Sequence, residues 1–140
     1  MEDQDQLAPT ILIVLIVEDH FATLAAMREL LSTAFPGCRI LAAESAEQAI
    51  ELCTGEPPHV VIMDIALPGM DGIEATRRIK SLLPGVQVVM HSSHDLAIYR
   101  DGAAAAGASA FVPKNKTFSD LIPAIAGLLP GKFPRSGRGG

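Results

Sequence analysis

The feature that most constrains the fold of this chain is a set of short, continuous runs of apolar residues. The run Ile11–Val17 has no polar member, and two similar runs follow at Val60–Met63 and Val86–Met90. A run without alternating polar positions is typical of a strand buried on both faces, as in a parallel sheet. Two shorter runs, Arg39–Ala43 and Ala110–Pro113, suit the outer strands of the same sheet.

Helical patterns lie between the apolar runs at 11–17, 39–43 and 60–63. The first helix is predicted by apolar residues that form one stripe at helical spacing, namely Leu24, Met27, Leu31 and Phe35. The second is predicted to begin after Ser45, because Gln48 three residues later completes the pattern of a capping box. We expect this second helix to run to about Cys53.

Three further helices are expected over Gly72–Leu82, about 95–106 and about 120–129. Gly102 lies inside the fourth helix and lowers its propensity by about 1 kcal/mol relative to Ala. Pro123 is tolerated only in a first turn, which predicts a late start for the fifth helix. Strand and helix thus alternate five times, which predicts an α/β fold: a doubly wound, five-stranded parallel sheet with helices on both faces.

Composition places the chain among ordinary globular proteins and limits its functions. Its 140 residues suit one domain, which we expect to span residues 10–130 between tails at 1–9 and 131–140. With 49% hydrophobic and 19% charged residues, the chain has enough apolar material for a core. A net charge of −5 and 4% aromatic residues argue against direct binding of nucleic acid.

Two other features bear on the cellular compartment. The longest apolar run, at 11–17, is far shorter than the ~20 residues of a membrane-spanning helix, and acidic residues near the N-terminus do not suit a secretory signal. Cys38 and Cys53 have no metal-ligand spacing and are too few for a disulfide framework, so we expect both to be reduced. These features predict a cytoplasmic protein that contacts no membrane.

Polar side chains stand where the apolar runs end, and they are Glu18, Asp19, Asp64, Ser92 and Lys114. Because ligands of open parallel sheets bind beyond the carboxyl ends of the strands, we expect these side chains to share one crevice. Three carboxylates so placed stay ionised only beside a cation, and all-oxygen ligation favours Mg²⁺. Carboxylates, Mg²⁺, an ammonium group and a hydroxyl together suit a phosphoryl group, for which Asp64 is the best acceptor.

With these residues in place, the chain resembles the receiver domains of two-component response regulators, of the NarL/FixJ-like kind, over roughly residues 10–130. The matching strings, in order, are ILIVLIVEDH, VVIMDIALPGMDGIEATRRIK, VVMHSS and GASAFVPK. The resemblance implies the flavodoxin-like strand order 2-1-3-4-5. It also implies a switch that a sensor histidine kinase or a phosphotransfer protein phosphorylates. Such a domain is no enzyme for other substrates and catalyses only its own phosphoryl uptake and hydrolysis.

The resemblance assigns roles at the phosphoryl site residue by residue. Asp64 would be the phosphoacceptor, and Lys114 would be the lysine beside it. Asp19, Asp64 and the backbone carbonyl of Ile65 would bind Mg²⁺, for which Mn²⁺ can substitute. Glu18 stands where the family often has aspartate, and it would act on the metal through water.

The resemblance also assigns the switch. Ser92 would be the switch hydroxyl and Phe111 the switch aromatic, a position where tyrosine is common. Phosphorylation would then change the surface of helix four, strand five and helix five, and so control self-association into a homodimer and output. Asn115 follows Lys114 where the family commonly has a proline with a cis bond, so that feature is not implied here.

The four histidines have a plainer interpretation. His20, His91 and His94 fall near the ends of two strands, but their spacing fits no zinc pattern. We therefore expect ordinary surface or loop histidines at these positions, and an equally ordinary one at His59.

Other functions remain open on the sequence alone. An aspartyl-phosphate phosphatase or phosphotransferase would typically need a second aspartate at position 66, which is Ala66. A flavin-binding module on the same fold would place a phosphate-cradling loop after strand one, where Glu18 and Asp19 repel phosphate. A receiver that is never phosphorylated is a further alternative. The stretch DLIPAIAGLLPGKFPRS resembles the last helix and linker of receivers that lead into a helix-turn-helix domain, and transcription is therefore the expected output.

Overall fold

The computed structural model describes residues 10–94, 97–129 and 131. Five parallel strands form one sheet in the order β2-β1-β3-β4-β5, which confirms the predicted fold class and strand order. The strands are β1 (Ile13–Val17), β2 (Arg39–Ala43), β3 (Val60–Met63), β4 (Gln87–Ser92) and β5 (Ala110–Pro113). The predicted tail at 1–9 and all but the first residue of the predicted tail at 131–140 lie outside the described residues, and the domain limits stay a prediction.

Among the described residues, four α-helices connect successive strands, and a fifth follows the last strand after a short 3₁₀ turn at Lys114–Lys116. They are α1 (Phe21–Ala34), α2 (Ala46–Gly55), α3 (Gly72–Leu82), α4 (Ala97–Ala106) and α5 (Thr117–Leu128). Each of the four connecting helices, α1 to α4, returns the chain to the same end of the sheet, as parallel strands require. In the part of the chain that is described, no helix is long and apolar enough to cross a membrane.

The apolar runs fold as strands because the sheet buries side chains on both faces. Along β1, Leu15 and Val17 pack into one core cluster with α2, α3 and α4. Val14 and Ile16 point the other way and pack with α1 and α5. Since both faces are covered, every position in the middle of the strand is apolar.

Three predicted boundaries were wrong. Ile11 is largely exposed, and β1 begins only at Ile13. Val86 lies in the preceding turn, where its N–H donates to the carbonyl of Leu83, and β4 instead extends to Ser92. Helix α5 begins at Thr117, so Pro123 lies inside it rather than in its first turn.

Helix α5 tolerates Pro123 because of where the missing hydrogen bond falls. Proline has no N–H to offer the carbonyl of Ser119 one turn earlier. Both residues are exposed, so that water can satisfy this carbonyl.

The helix caps follow the sequence with one difference. Ser45 accepts a hydrogen bond from the N–H of Gln48 at 3.2 Å, as predicted. The return bond of the box is shifted, because the Gln48 side chain accepts from the N–H of Glu44 at 2.8 Å. Asp71 caps α3 by accepting from the N–H of Glu74 at 2.9 Å. Residues 95 and 96, where α4 was predicted to begin, lie outside the described part of the chain.

Both cysteines are free thiols, as the sequence predicts. Cys38 is half-buried, and Cys53 is fully buried under α2. Burial raises the pKa of the Cys53 thiol to about 11, so this group stays protonated and behaves as a small apolar side chain.

Candidate functional site

The five polar residues that follow the apolar runs all lie at the carboxyl edge of the sheet. Glu18 and Asp19 come directly after β1, and Asp64 comes directly after the central strand β3. Ser92 is the last residue of β4, and Lys114 comes directly after β5. The parallel arrangement brings these strand ends to one edge, as predicted.

Lys114 joins two buried carboxylates at this edge. Its Nζ lies 3.0 Å from Oε1 of Glu18 and donates a hydrogen bond of 3.1 Å to Oδ2 of Asp64. The relative exposure of Glu18 is 1% and that of Asp64 is 3%. Oppositely charged groups at this distance and depth interact strongly, since water screens them little.

Burial and the lysine act in opposite directions on the two carboxyl groups. Burial raises the pKa of Asp64, and the charge of Lys114 only partly offsets it. Burial would also raise the pKa of Glu18, but Lys114 and the backbone N–H of His20 lower it on balance. Although burial lowers the pKa of Lys114, the two carboxylates raise it overall, so this ammonium group is charged at neutral pH.

A second part of the site is the acidic group at the start of the β1–α1 loop. Ligand atoms of Glu18, Asp19 and His20 lie within 4.8 Å of one another. Nδ1 of the exposed His20 is 3.1 Å from Oε2 of Glu18 and 3.4 Å from Oδ1 of Asp19. His20 is exposed, as predicted for an ordinary surface histidine, but its ring contacts the carboxylates of Glu18 and Asp19.

The loop after Asp64 holds the other oxygen of this carboxylate. Oδ1 of Asp64 accepts a hydrogen bond from the N–H of Ala66 at 3.1 Å. The carbonyl of Ile65 accepts from the N–H of Gly72 at 2.9 Å and from that of Leu67 at 3.1 Å. Both lone pairs of this carbonyl are therefore used within the loop, which argues against Ile65 as a metal ligand.

The first residue of α3 packs directly on the backbone of Asp64. A Cβ built at Gly72 would lie 2.0 Å from the Asp64 carbonyl oxygen, far inside van der Waals contact. Glycine is therefore required here by close approach rather than by backbone conformation. This contact sets the position from which the Asp64 side chain extends.

Among the described residues, the two predicted switch residues make no hydrogen bond to the lysine-bridged pair. Ser92 is fully buried, and its Oγ accepts a hydrogen bond from the N–H of His94 at 3.0 Å. In the described residues, no hydrogen bond joins Ser92 to Asp64. Phe111 is half-buried on β5, and the guanidinium of Arg100 on α4 lies 4.6 Å from its ring centroid.

Two histidines are not the ordinary residues that the sequence suggests. His91 is buried within β4, and its Nε2 lies 2.7 Å from Oγ1 of Thr117. His59 is half-buried at the opposite edge of the sheet, where Nδ1 accepts from the N–H of Ile13 at 3.0 Å. The available signal was position, since each histidine directly adjoins a buried apolar run. His94 is exposed, as predicted.

This geometry defines a class of protein: a doubly wound α/β domain with a lysine-bridged carboxylate pair at the carboxyl edge of its sheet. A family model for the response regulator receiver domain matches residues 14–126. The chain belongs to this family.

Individual relatives agree with the family match. The transcriptional activator protein ExaE of Pseudomonas putida is 34% identical over 119 residues, which are 84% of this chain and 55% of that protein. The response regulator protein VraR of Staphylococcus saprophyticus is 33% identical over 114 residues, which are 80% of this chain and 54% of that protein. The chain thus spans about half the length of these curated relatives.

Solved structures give the same result. A LuxR-family two-component response regulator from an Aurantimonas species has a TM-score of 0.80 and 31% identity, with 91% of each chain covered. A CheY-like receiver domain protein from Methanospirillum hungatei has a TM-score of 0.78 and 25% identity, with 84% of this chain and 93% of that chain covered. This chain is thus a receiver domain of two-component signalling and not a metabolic enzyme. Domains of this family bind Mg²⁺ at an acidic cluster and interact with histidine kinases or phosphotransfer proteins.

Proposed function

We propose that Asp64 accepts a phosphoryl group in an Mg²⁺-dependent reaction and that this modification switches the α4–β5–α5 surface. The observation that carries the proposal is the position of Lys114, whose Nζ contacts both Glu18 and Asp64. A buried carboxylate that ends the central strand beside a lysine suits a phosphoacceptor. The donor is the phosphohistidine of a sensor histidine kinase or of a phosphotransfer protein.

In this reaction an oxygen of Asp64 attacks the phosphorus of phosphohistidine. A P–O bond forms, the P–N bond breaks, and the imidazole leaving group takes up a proton. Lys114 stabilises the negative charge on the phosphoryl oxygens, because its ammonium already lies 3.1 Å from the acceptor carboxylate. Water later hydrolyses the acyl phosphate, so the domain catalyses its own uptake and loss of phosphate and acts on no other substrate.

The residues at the site fit a divalent cation. Glu18, Asp19 and Asp64 carry three negative charges against the single charge of Lys114, which leaves two to be neutralised. Oε1 of Glu18 contacts Lys114 as an ion pair, yet this buried oxygen has no hydrogen-bond partner among the described residues. A water molecule of a hydrated Mg²⁺ would satisfy it, since Mg²⁺ keeps several of its waters in such sites.

Asp19 and Asp64 are the direct ligands in this proposal, and Glu18 acts through water. The carbonyl of Ile65 already accepts two hydrogen bonds within the loop, so water molecules complete the coordination of the metal in this proposal. When bound, the metal neutralises charge on the phosphoryl oxygens. Mn²⁺ can substitute, because it accepts the same oxygen ligands.

The switch begins at Ser92 in this proposal. Its hydroxyl donates to a phosphoryl oxygen on Asp64, which draws the end of β4 towards the site and releases space for Phe111. Inward rotation of Phe111 gives up the contact with Arg100, worth about 0.5–1 kcal/mol at a surface site. The α4–β5–α5 surface then favours a homodimer, and output passes to transcription through a further domain.

Phosphoryl uptake at Asp64 is tested by intact mass after incubation with Mg²⁺ and phosphoramidate. We expect a gain of one phosphoryl mass in the wild type and none in Asp64→Asn. The matched control is Asp71→Asn, which keeps an N-cap side chain for α3 and lies outside the site. Equal uptake by Asp64→Asn and the wild type would exclude Asp64 as the acceptor.

A further inference from the structure

His91 and its neighbour Met90 in β4 lie on opposite faces of the sheet. Met90 packs into the cluster with α2, α3 and α4. Side chains alternate along a strand, so His91 points to the opposite layer. There it lines a cavity of about 290 Å³ between α1 and α5, together with Met27, Lys114 and Thr117.

Two hydrogen bonds connect His91 to the backbone that carries Lys114. The hydroxyl of Thr117 donates to the carbonyl of Lys114 at 2.8 Å. A hydroxyl has one proton, so at its second contact it accepts from Nε2 of His91 at 2.7 Å. Burial, followed by the charge of Lys114, lowers the pKa of His91 to about 4. The ring is therefore neutral at pH 7, and its single proton lies on Nε2.

From this geometry we infer that His91 is a positioning residue which, through Thr117, fixes the Lys114–Lys116 turn and hence the direction of the Lys114 side chain. The inference rests on the proposed function, since it concerns the lysine of that same site. His91 contacts neither the acceptor carboxylate nor the phosphoryl group. It acts on the reaction only through the backbone of the β5–α5 connection.

Packing alone does not account for a histidine at this position. A buried imidazole gives up favourable hydrogen bonds to water, a cost that an apolar side chain of similar size does not have. The cost is offset where the ring makes a hydrogen bond, and the bond to Thr117 spans 26 positions of the chain. The bond therefore holds the end of β4 against the first residue of α5.

The test compares phosphorylation rates for paired variants of the whole chain. His91→Leu and Thr117→Val each remove the bond and keep similar volume, whereas His91→Gln and Thr117→Ser keep a donor and a hydroxyl. We expect the first two to accept phosphate from phosphoramidate about tenfold more slowly. His91→Leu loses only the bond to Thr117, whereas Thr117→Val loses that bond and the one to the Lys114 carbonyl, so the double variant should be no slower than Thr117→Val. His91→Gln and Thr117→Ser should stay within about threefold of the wild type.

A control variant is needed to show that a loss of stability alone does not slow phosphorylation. His59→Leu is the matched control, because it removes the acceptor of the Ile13 N–H at the opposite edge of the sheet. We expect His59→Leu to melt at a lower temperature than the wild type and to be phosphorylated at the wild-type rate. Equal slowing in His59→Leu would attribute the effect to stability and overturn the inference.

Three other outcomes would also overturn it. One is a wild-type rate in Thr117→Val, another is equal slowing in Thr117→Val and Thr117→Ser, and the third is multiplication of the single effects in the double variant. If a variant fails to fold, the ¹⁵N shifts of the wild-type His91 ring decide, because a proton on Nδ1 at pH 7 would contradict the geometry. Absence of phosphoryl uptake in the wild type would instead refute the proposed function.

In that case the effect of Thr117 on the position of the Lys114 side chain is measured from the NMR signal of the Lys114 ammonium. Thr117→Val should shift this signal, and His59→Leu should not.

Discussion

Replacing three helical glycines one at a time with alanine tests how closely α3 is packed on the phosphoacceptor. None of the three has a positive φ, so they differ in the space around them. A Cβ at Gly127 in α5 would meet nothing within 4 Å. A Cβ at Gly102 in α4 would lie 3.3 Å from Cδ1 of Ile73, and one at Gly72 would lie 2.0 Å from the carbonyl oxygen of Asp64.

These distances decide whether each alanine substitution raises or lowers the free energy of unfolding. Alanine in a helix gains up to about 1 kcal/mol over glycine, and at Gly127 nothing opposes that gain. At Gly102 the end of the Ile73 side chain must move by a few tenths of an ångström, and this movement offsets part of the gain in helix propensity. At Gly72 the backbone of Asp64 must retreat by more than 1 Å to reach ordinary contact, and overpacking of this kind costs about 3 kcal/mol.

Urea unfolding of the three variants measures these free energies directly. We expect Gly127→Ala to be stabilised, Gly102→Ala to change little, and Gly72→Ala to lose about 2 kcal/mol net. Phosphoryl uptake by the folded fraction of Gly72→Ala should fall roughly 100-fold, since the reacting carboxylate is displaced by about 1 Å. A Gly72→Ala variant as stable and as reactive as the wild type would refute the packing argument.

Three further predictions concern charge and switching. The pKa of His91 is near 6.5 in the unfolded chain and about 4 in the folded one, so the free energy of unfolding should fall by about 3 kcal/mol as the pH drops from 6.5 to 4. Urea unfolding of His91→Gln should lack this part of the loss. Equal pH profiles for His91→Gln and the wild type would contradict the prediction. Addition of ~10 mM Mg²⁺ should raise the melting temperature of the wild type more than that of Asp19→Ala, and an unchanged melt in both would count against the metal site. Beryllofluoride, which mimics the acyl phosphate, should change amide exchange over residues 92–113 and promote self-association in sedimentation, less so in Ser92→Ala; binding without any change in exchange would refute the switch.

The sheet and the main site could be predicted from the sequence because both depend on burial. A strand covered on both faces must be continuously apolar, so β3 was predicted at its observed limits. The polar residue that ends such a run must lie at the sheet edge, which placed Asp64 and Lys114 correctly. Helix α3 was also predicted at its observed limits, but the start of α5 was placed too late, because Pro123 is tolerated inside the helix where Ser119 is exposed.

The remaining features depend on contacts that a local pattern does not encode. Nothing near His91 in the sequence indicates its bond to Thr117. The Ile65 carbonyl is held within the β3–α3 loop, because it accepts hydrogen bonds from the N–H groups of Leu67 and Gly72. The close approach of Gly72 to Asp64 likewise becomes visible only when α3 is placed on the end of β3.

The most direct test of the central claim is to locate the phosphoryl group on the chain. Wild-type protein is incubated with Mg²⁺ and phosphoramidate, then treated with borohydride, which reduces an aspartyl phosphate to homoserine. Tandem mass spectrometry of the digest then identifies the reduced residue. Our account predicts homoserine at position 64 only, and its absence from unphosphorylated protein treated in the same way. Homoserine at another aspartate, with Asp64 unchanged, would contradict it.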